Sequence, residues 1–134
     1  MHKDTFSVST SSYMELVDIT PQVRAALQES GVTKGVCYLF NPHTTAALTI
    51  NEGADPAVRS DIVMALEEMI PFKLHFRHAE GNSPSHVLAS LFGASETIFV
   101  EQGRLLLGTW QKIYFCEFDG PRTRKVHVRI GTAL

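Results

Sequence analysis

Polar and apolar residues alternate from Lys3 to Ser9 (KDTFSVS), the period of a strand with one buried face. Thr20-Pro21 sets an N-capping residue before a proline at the first helical position, predicting a helix that runs to about Ser30 and stops at Gly31. Residues 35–41 (GVCYLFN) form a continuous apolar run, the mark of a buried strand. Residues 44–50 (TTAALTI) are rich enough in β-branched side chains to form another. Asp55-Pro56 repeats the cap-plus-proline signal, and Val58, Ile62, Ala65, Leu66 and Met69 follow at helical spacing, so a second helix should end near Ile70-Pro71. Ser83-Pro84 opens a short third helix through Leu91, stopped by Gly93. Residues 96–101 (ETIFVE) read as strand with a turn at Gly103, and the remainder reads as strand at 104–107, 110–118 and 122–130.

The last two strands are separated by Asp119-Gly120-Pro121-Arg122, which predicts a type II′ hairpin. In that register Asp119 opposes Arg122, Glu117 opposes Arg124, Phe115 faces Val126 and Ile113 faces Val128. All eight side chains then share one face, apolar at one end and carrying two acid–arginine pairs at the other.

Composition narrows the function classes. A chain of 134 residues holds one ordinary domain, here 1–134, and 44% apolar residues suffice for a core. Twelve Lys and Arg against fourteen Asp and Glu leave a formal charge of −2, which disfavours nucleic acid as a partner. No apolar run approaches the ~20 residues that span a bilayer, so no membrane is expected. MHKDTFSVST lacks the apolar core of a secretory signal. Cys37 and Cys116 form no disulfide framework, which fits buried thiols in a reducing cytoplasm. The low charged share, 19%, hints that part of the surface is covered by copies of the chain.

Three polar constellations carry candidate chemistry. His78 and His86 flank HAEGNSPSH, where turn residues lead into a helix whose first N–H groups lack partners. With Glu80, and with His43 at the end of a buried strand, these imidazoles suit a divalent metal, zinc before oxygen-loving magnesium. The plain alternative is that they bond the turn and a bound anion. Asn51-Glu52 follows a strand with no evident structural task, whereas Asp55 is an ordinary cap and Asp61 a candidate for a salt bridge. At the hairpin, Arg122 and Arg124 lie on one strand face about 7 Å apart, a spacing that suits a phosphate or diphosphate. Equally, they could be two cross-strand ion pairs with Asp119 and Glu117.

HTTAALTINE (43–52), HAEGNSPSH (78–86) and GRLLLGTWQKIYFCEFDGPRTRKV (103–126) together resemble the YjbQ-like family, whose members are described as secondary thiamine-phosphate synthases. The resemblance implies an α/β fold of the α+β type: a compact domain with about three helices and largely antiparallel sheets, assembled as a homotrimer. It also implies a reaction that joins a pyrimidine methyl diphosphate to a thiazole phosphate and releases diphosphate. Carried onto this chain, the polar motif falls on His43, Thr44, Thr45, Asn51, Glu52, Asp55, Asp61, His78, Glu80, Asn82, His86, Gln111, Glu117, Asp119, Arg122 and Arg124. Under that reading His43, Glu52, Glu117 and Arg124 are catalytic. Thr44, Thr45, Asn51, Asn82, Gln111, Asp119 and Arg122 bind a small phosphorylated substrate. His43, His78, His86 and Glu80 hold the metal, and Leu88 stands where many relatives carry a lysine. A metal-dependent hydrolase of a phosphorylated small molecule and a noncatalytic binding module for an anionic metabolite are the rival expectations.

Overall fold

The computed structural model describes residues 1–132. In chain order the elements are β1 (His2–Ser9), β2 (Glu15–Asp18), α1 (Thr20–Ser30), β3 (Gly35–Phe40), β4 (Ala46–Glu52) and α2 (Pro56–Met69), followed by α3 (Ser83–Phe92), β5 (Ser95–Glu101), β6 (Arg104–Leu105), β7 (Gln111–Glu117) and β8 (Thr123–Gly131). The strands form two antiparallel sheets, one in the order β1-β8-β3-β5-β6 and one in the order β2-β7-β4. Three helices and two antiparallel sheets make this the expected α+β architecture.

Alternation sets the layers. Val126, Val128 and Ile130 of β8 and Cys37 and Leu39 of β3 point inward from the large sheet. They meet Leu48 of β4 and Ile113 and Phe115 of β7, with Val23, Ala26 and Leu27 of α1 in the same core. The other face of the small sheet (Leu16, Ala47, Tyr114 and Cys116) packs with Phe118 against Leu66 of α2 and Leu88 of α3. β7 is therefore covered on both faces, which explains its nearly unbroken buried run.

The three cap-plus-proline starts differ, and in α3 the cap position falls to Asn82, with Ser83 already inside the helix. Asp55 caps α2, its Oδ1 accepting from the Ala57 N–H at 2.9 Å. Thr20 is not a cap: Ile19 holds that position, and the Thr20 hydroxyl accepts instead from the Ile113 N–H of β7 at 2.8 Å. Gly31 ends α1 in the left-handed conformation at φ 69°, as its position predicts. α2 is shallower than its pattern suggests, with only Leu66 buried and Met69 open to solvent.

Two strand assignments change. β2, four residues long, has too short a pattern to be read from sequence. The hairpin joining the last two strands does not form. β7 is hydrogen-bonded on both edges, by β2 and β4, and β8 on both of its own, by β1 and β3. Neither strand has an edge left for the other, so residues 118–122 cross between sheets. That loop, which contains the cis Gly120–Pro121 bond, is pinned where the Gly120 N–H donates to Tyr13 O at 3.0 Å and the Arg122 N–H to the Thr10 hydroxyl at 2.9 Å. The facing residues survive the change: Ile113, Phe115 and Glu117 meet Arg124, Val126 and Val128 across the sandwich instead of along a hairpin. Residues 35–41 also alternate rather than bury throughout, leaving Tyr38 and Phe40 on the outer face.

Close approach requires glycine at position 35. A Cβ there would lie 1.9 Å from the carbonyl oxygen of Gly131, a backbone atom that cannot swing aside. Gly35→Ala should cost at least ~2 kcal/mol, measured by chemical denaturation, because the clash must be relieved by moving β3 or β8.

Candidate functional site

Asn41, fully buried, organises the loop that presents His43, Thr44 and Thr45. Its Oδ1 accepts from the His43 N–H at 3.0 Å and its Nδ2 donates to the Ala46 carbonyl at 2.7 Å. Facing this loop, residues 78–86 enter α3. Ser85 anchors them by donating its hydroxyl hydrogen to the Phe118 carbonyl at 2.6 Å. The 118–122 crossing closes the third side. The result is a polar cleft of about 450 Å³ lined by Pro42, His43, Thr44, Thr45, His78, Glu80, Asn82, His86, Asp119, Arg122 and Arg124.

Arg124 and Glu117 form the foundation of this cleft. Both are buried, and the guanidinium engages both carboxylate oxygens, Nε donating to Oε1 at 2.9 Å and Nη2 to Oε2. Thr10 donates to Oε1 at 2.7 Å and the Asp119 N–H to Oε2 at 3.0 Å, while Nη2 also reaches Thr45 Oγ1 at 2.9 Å. Burial works to raise the Glu117 pKa, but Arg124, Thr10 and the Asp119 amide outweigh it and hold the carboxyl below its ordinary value. Both carboxylate oxygens are fully engaged, and among the Arg124 nitrogens Nη1 alone takes no part in these bonds.

The pocket's remaining groups are freer. Arg122 is half exposed and touches Asp119 at 3.3 Å. Asn82 donates through Nδ2 to Asp119 Oδ2 at 2.9 Å, which fixes its amide orientation and leaves Oδ1 buried without a partner. The His78 and His86 rings meet edge to face with centroids 5.5 Å apart, and Glu80 Oε2 lies 4.0 Å from His78 Nε2. His43 Nε2 accepts from the Lys125 N–H at 2.8 Å, so the proton of the neutral ring sits on Nδ1. Burial, then the positive charge of Arg124, lowers the His43 pKa and keeps the ring neutral. The N-terminus of α3 is a leaner anion site than its sequence suggests. Pro84 has no N–H and the amides of Ser85 and His86 turn back to Asn82 O, leaving that of Ser83.

The structure thus brings together His43, Thr44, Thr45, His78, Glu80, Asn82, His86, Asp119, Arg122 and Arg124, with Glu117 beneath them. It does not bring Asn51, Glu52 or Gln111 to the same place. They line a separate cleft with Ile50 and Trp110 at the far end of β4. Asp55 is a helix cap, Asp61 lies exposed on α2 and Leu88 is fully buried in the second core. Among the described residues, three metal-ligand atoms lie within 4.8 Å of one another only at His2, Asp4 and Glu29, at the opposite end of β8 from the pocket. Sequence reasoning missed Asn41, Thr10 and Ser85. The Asn41-Pro42 turn signal pointed to the first, whereas the tasks of Thr10 and Ser85 depend on partners 107 and 33 residues away.

The family described as UPF0047 protein YjbQ-like matches residues 4–133. The chain belongs to the YjbQ/UPF0047 family. It is 49% identical over 127 residues to the UPF0047 protein YugU of Bacillus subtilis, covering 94% of this chain and 96% of that protein. A UPF0047 protein of Methanocaldococcus jannaschii is 50% identical over 125 residues, 93% and 91% of the two chains. A YjbQ/UPF0047 crystal structure from Clostridium acetobutylicum superposes with a TM-score of 0.93 at 51% identity, covering 96% and 99%. A structure from Sulfolobus solfataricus, described as a YbjQ-like protein of unknown function, gives 0.91 at 37%, covering 96% and 94%.

These findings correct the functional expectation. The relatives are described as UPF0047 proteins, and none of them as a thiamine-phosphate synthase or transferase, so family membership carries no such activity to this chain. Of the two readings of the arginines, the ion pairs form: Arg124 is bonded through Nε and Nη2 to Glu117 and Thr45, and Arg122 touches Asp119.

Arg124→Ala would strand the Glu117 carboxylate inside the sandwich and should cost ~3 kcal/mol or more in denaturant unfolding. Because the folded Glu117 pKa is depressed, its contribution is complete above the unfolded value of about 4.3 and is lost as pH falls through the folded pKa. Stability measured downward from pH 5 should therefore fall less steeply in Glu117→Gln than in the unmodified protein.

Proposed function

We propose that the histidine pocket binds a small phosphate-bearing ligand together with a divalent transition metal, zinc by its donor set, held by His78 and His86 with Glu80 as a third arm. The spacing of the two imidazoles carries this reading. Two rings on one tetrahedral zinc have centroids about 5 Å apart, from zinc–nitrogen bonds of about 2.1 Å. The observed 5.5 Å is near that spacing, and side-chain rotation must bring the three donor atoms of His78, His86 and Glu80 together on the ion. Charge supports it too: Glu80 and Asp119 would repel a bare phosphate, and a metal between them and the anion removes that conflict. Arg122 then contacts the phosphate, Asn82 Oδ1 accepts from a ligand donor, and Thr44 and Thr45 line the opposite wall. His43 serves as a donor through Nδ1–H and takes no part in holding the metal.

The chain also works as a homotrimer in this reading. The outer face of the large sheet exposes Tyr38, Phe40 and Phe99, with Leu106 beside Phe99, an apolar patch suited to a second copy. The number three comes from the family resemblance. A cytoplasmic location fits the two free, buried thiols, Cys37 pushed up to about 12 and Cys116 raised further by burial. Among the described residues, no helix is long and apolar enough to cross a membrane.

Calorimetric titration of metal-stripped protein with zinc tests the pocket. His78→Ala and His86→Ala should each lose at least ~10-fold in affinity, and occupancy should fall between pH 7 and pH 5 as the imidazoles protonate. Arg122→Ala should keep zinc and lose inorganic phosphate. Unchanged zinc affinity in both histidine variants would overturn the reading. Release of phosphate from a monoester by the zinc-loaded protein would mark a hydrolase, and binding without turnover a binding module. Light scattering at micromolar concentration should give three times 14.9 kDa, and a monomer would remove the trimer.

A further inference from the structure

The second polar cleft, at the far end of β4, has its own chemistry. It encloses about 360 Å³ between Ile50, Asn51 and Glu52 on one wall and Trp110 and Gln111 on the other. Backbone bonds fix both walls. The Gly53 N–H donates to the Trp110 carbonyl at 2.8 Å, and the Tyr114 hydroxyl donates to the Glu52 carbonyl at 2.9 Å. The Gln111 side chain closes the turn before it by accepting from the Gly108 N–H at 2.8 Å. Within this frame the Glu52 carboxylate is unprovided for. Its Oε2 is buried with no hydrogen-bond partner, and Glu52 takes part in no salt bridge among the described residues. Of the nearby cations, Lys112 is committed to Asp18 at 3.7 Å, whereas Arg59 lies over the Tyr114 ring at 5.0 Å and makes no ion pair with Glu52, its Nε being unpartnered. A carboxylate that is partly desolvated and unpaired gains most from a cationic donor. Across the cleft Trp110 is 65% exposed, so most of its indole is left uncovered by the described residues.

We propose that this cleft binds a planar cation of the amidinium or guanidinium class, its N–H fork on the Glu52 carboxylate and its flat face on Trp110. A forked cation meets a carboxylate through two parallel hydrogen bonds, and its delocalised plane stacks on indole, which a tetrahedral ammonium does not do as well. The site is distinct from the histidine pocket, since β4 holds the two about 20 Å apart at 3.3 Å per residue.

Trp110 is the only tryptophan, so its fluorescence reports on this cleft alone. Titration of the full chain with benzamidine should give a saturable change in Trp110 emission. Glu52→Gln, nearly isosteric, should weaken it at least ~10-fold, because charge-assisted bonds are lost. Trp110→Phe, followed by calorimetry, should weaken it as well, and benzyl alcohol, which keeps the ring without the fork, should give no saturable change. His86→Ala should leave benzamidine binding intact, so failure of the metal reading would not imitate failure here. The proposal is overturned if Glu52→Gln binds as tightly as the unmodified protein or if no saturable response occurs. A Trp110 emission that starts blue and shifts red on dilution would also overturn it, since a second copy would then be covering the cleft.

Discussion

Two sheets packed face to face need something besides grease to set their register, and here a buried ion pair supplies it. Arg124 rises from β8 in one sheet and Glu117 from β7 in the other, so their bidentate contact crosses the sandwich. Such a pair adds little over a well-packed apolar substitute, but either half alone is costly. Its geometry is correspondingly over-determined: Thr10 and the Asp119 amide fill the remaining capacity of the carboxylate, and Thr45 takes a further bond from Nη2 of the guanidinium. The crossing at 118–122 and the loop at 41–46 are both tied to this pair, and they form two sides of the polar pocket. Displacing it would move Thr45, Asp119 and Arg122 together.

That arrangement divides the polar residues into two kinds. Arg124, Glu117, Asn41, Thr10 and Ser85 are buried and bonded to other parts of the fold, and they position the pocket. His78, His86, Glu80, Arg122 and Asn82 Oδ1 retain unused donors, acceptors or charge. A side chain is available for chemistry in this chain because the fold has not already used it, and charge type alone does not tell the two groups apart. Arg122 and Arg124 are two residues apart, yet the first lies half exposed in the crossing and the second is sealed within β8. β4 makes a second division. His43, Thr44 and Thr45 stand only a few residues before Asn51 and Glu52 in sequence, but the extended strand between them carries the two groups to different clefts.

Local pattern determined much of this molecule. Strand alternation from Lys3 to Ser9, the helix starts at Pro21, Pro56 and Pro84 and the stop at Gly31 depend on φ restrictions and side-chain periodicity within a few residues, so they were legible in the chain. Face sharing among Ile113, Phe115, Glu117, Arg124, Val126 and Val128 was legible too, because parity along a strand is a local property. Which sheet each strand joined was not, since a strand's two edges are filled by segments far away. β8 takes β1 and β3, and β7 takes β2 and β4, so two strands adjacent in sequence end in different sheets. Likewise, the histidines and the acid–arginine pairs could be named from residue type and spacing. Whether each was spent or free was decided by long-range partners: Thr10 on Glu117, the Lys125 amide on His43, Asp119 on Asn82. Those contacts exist only once the sandwich has closed.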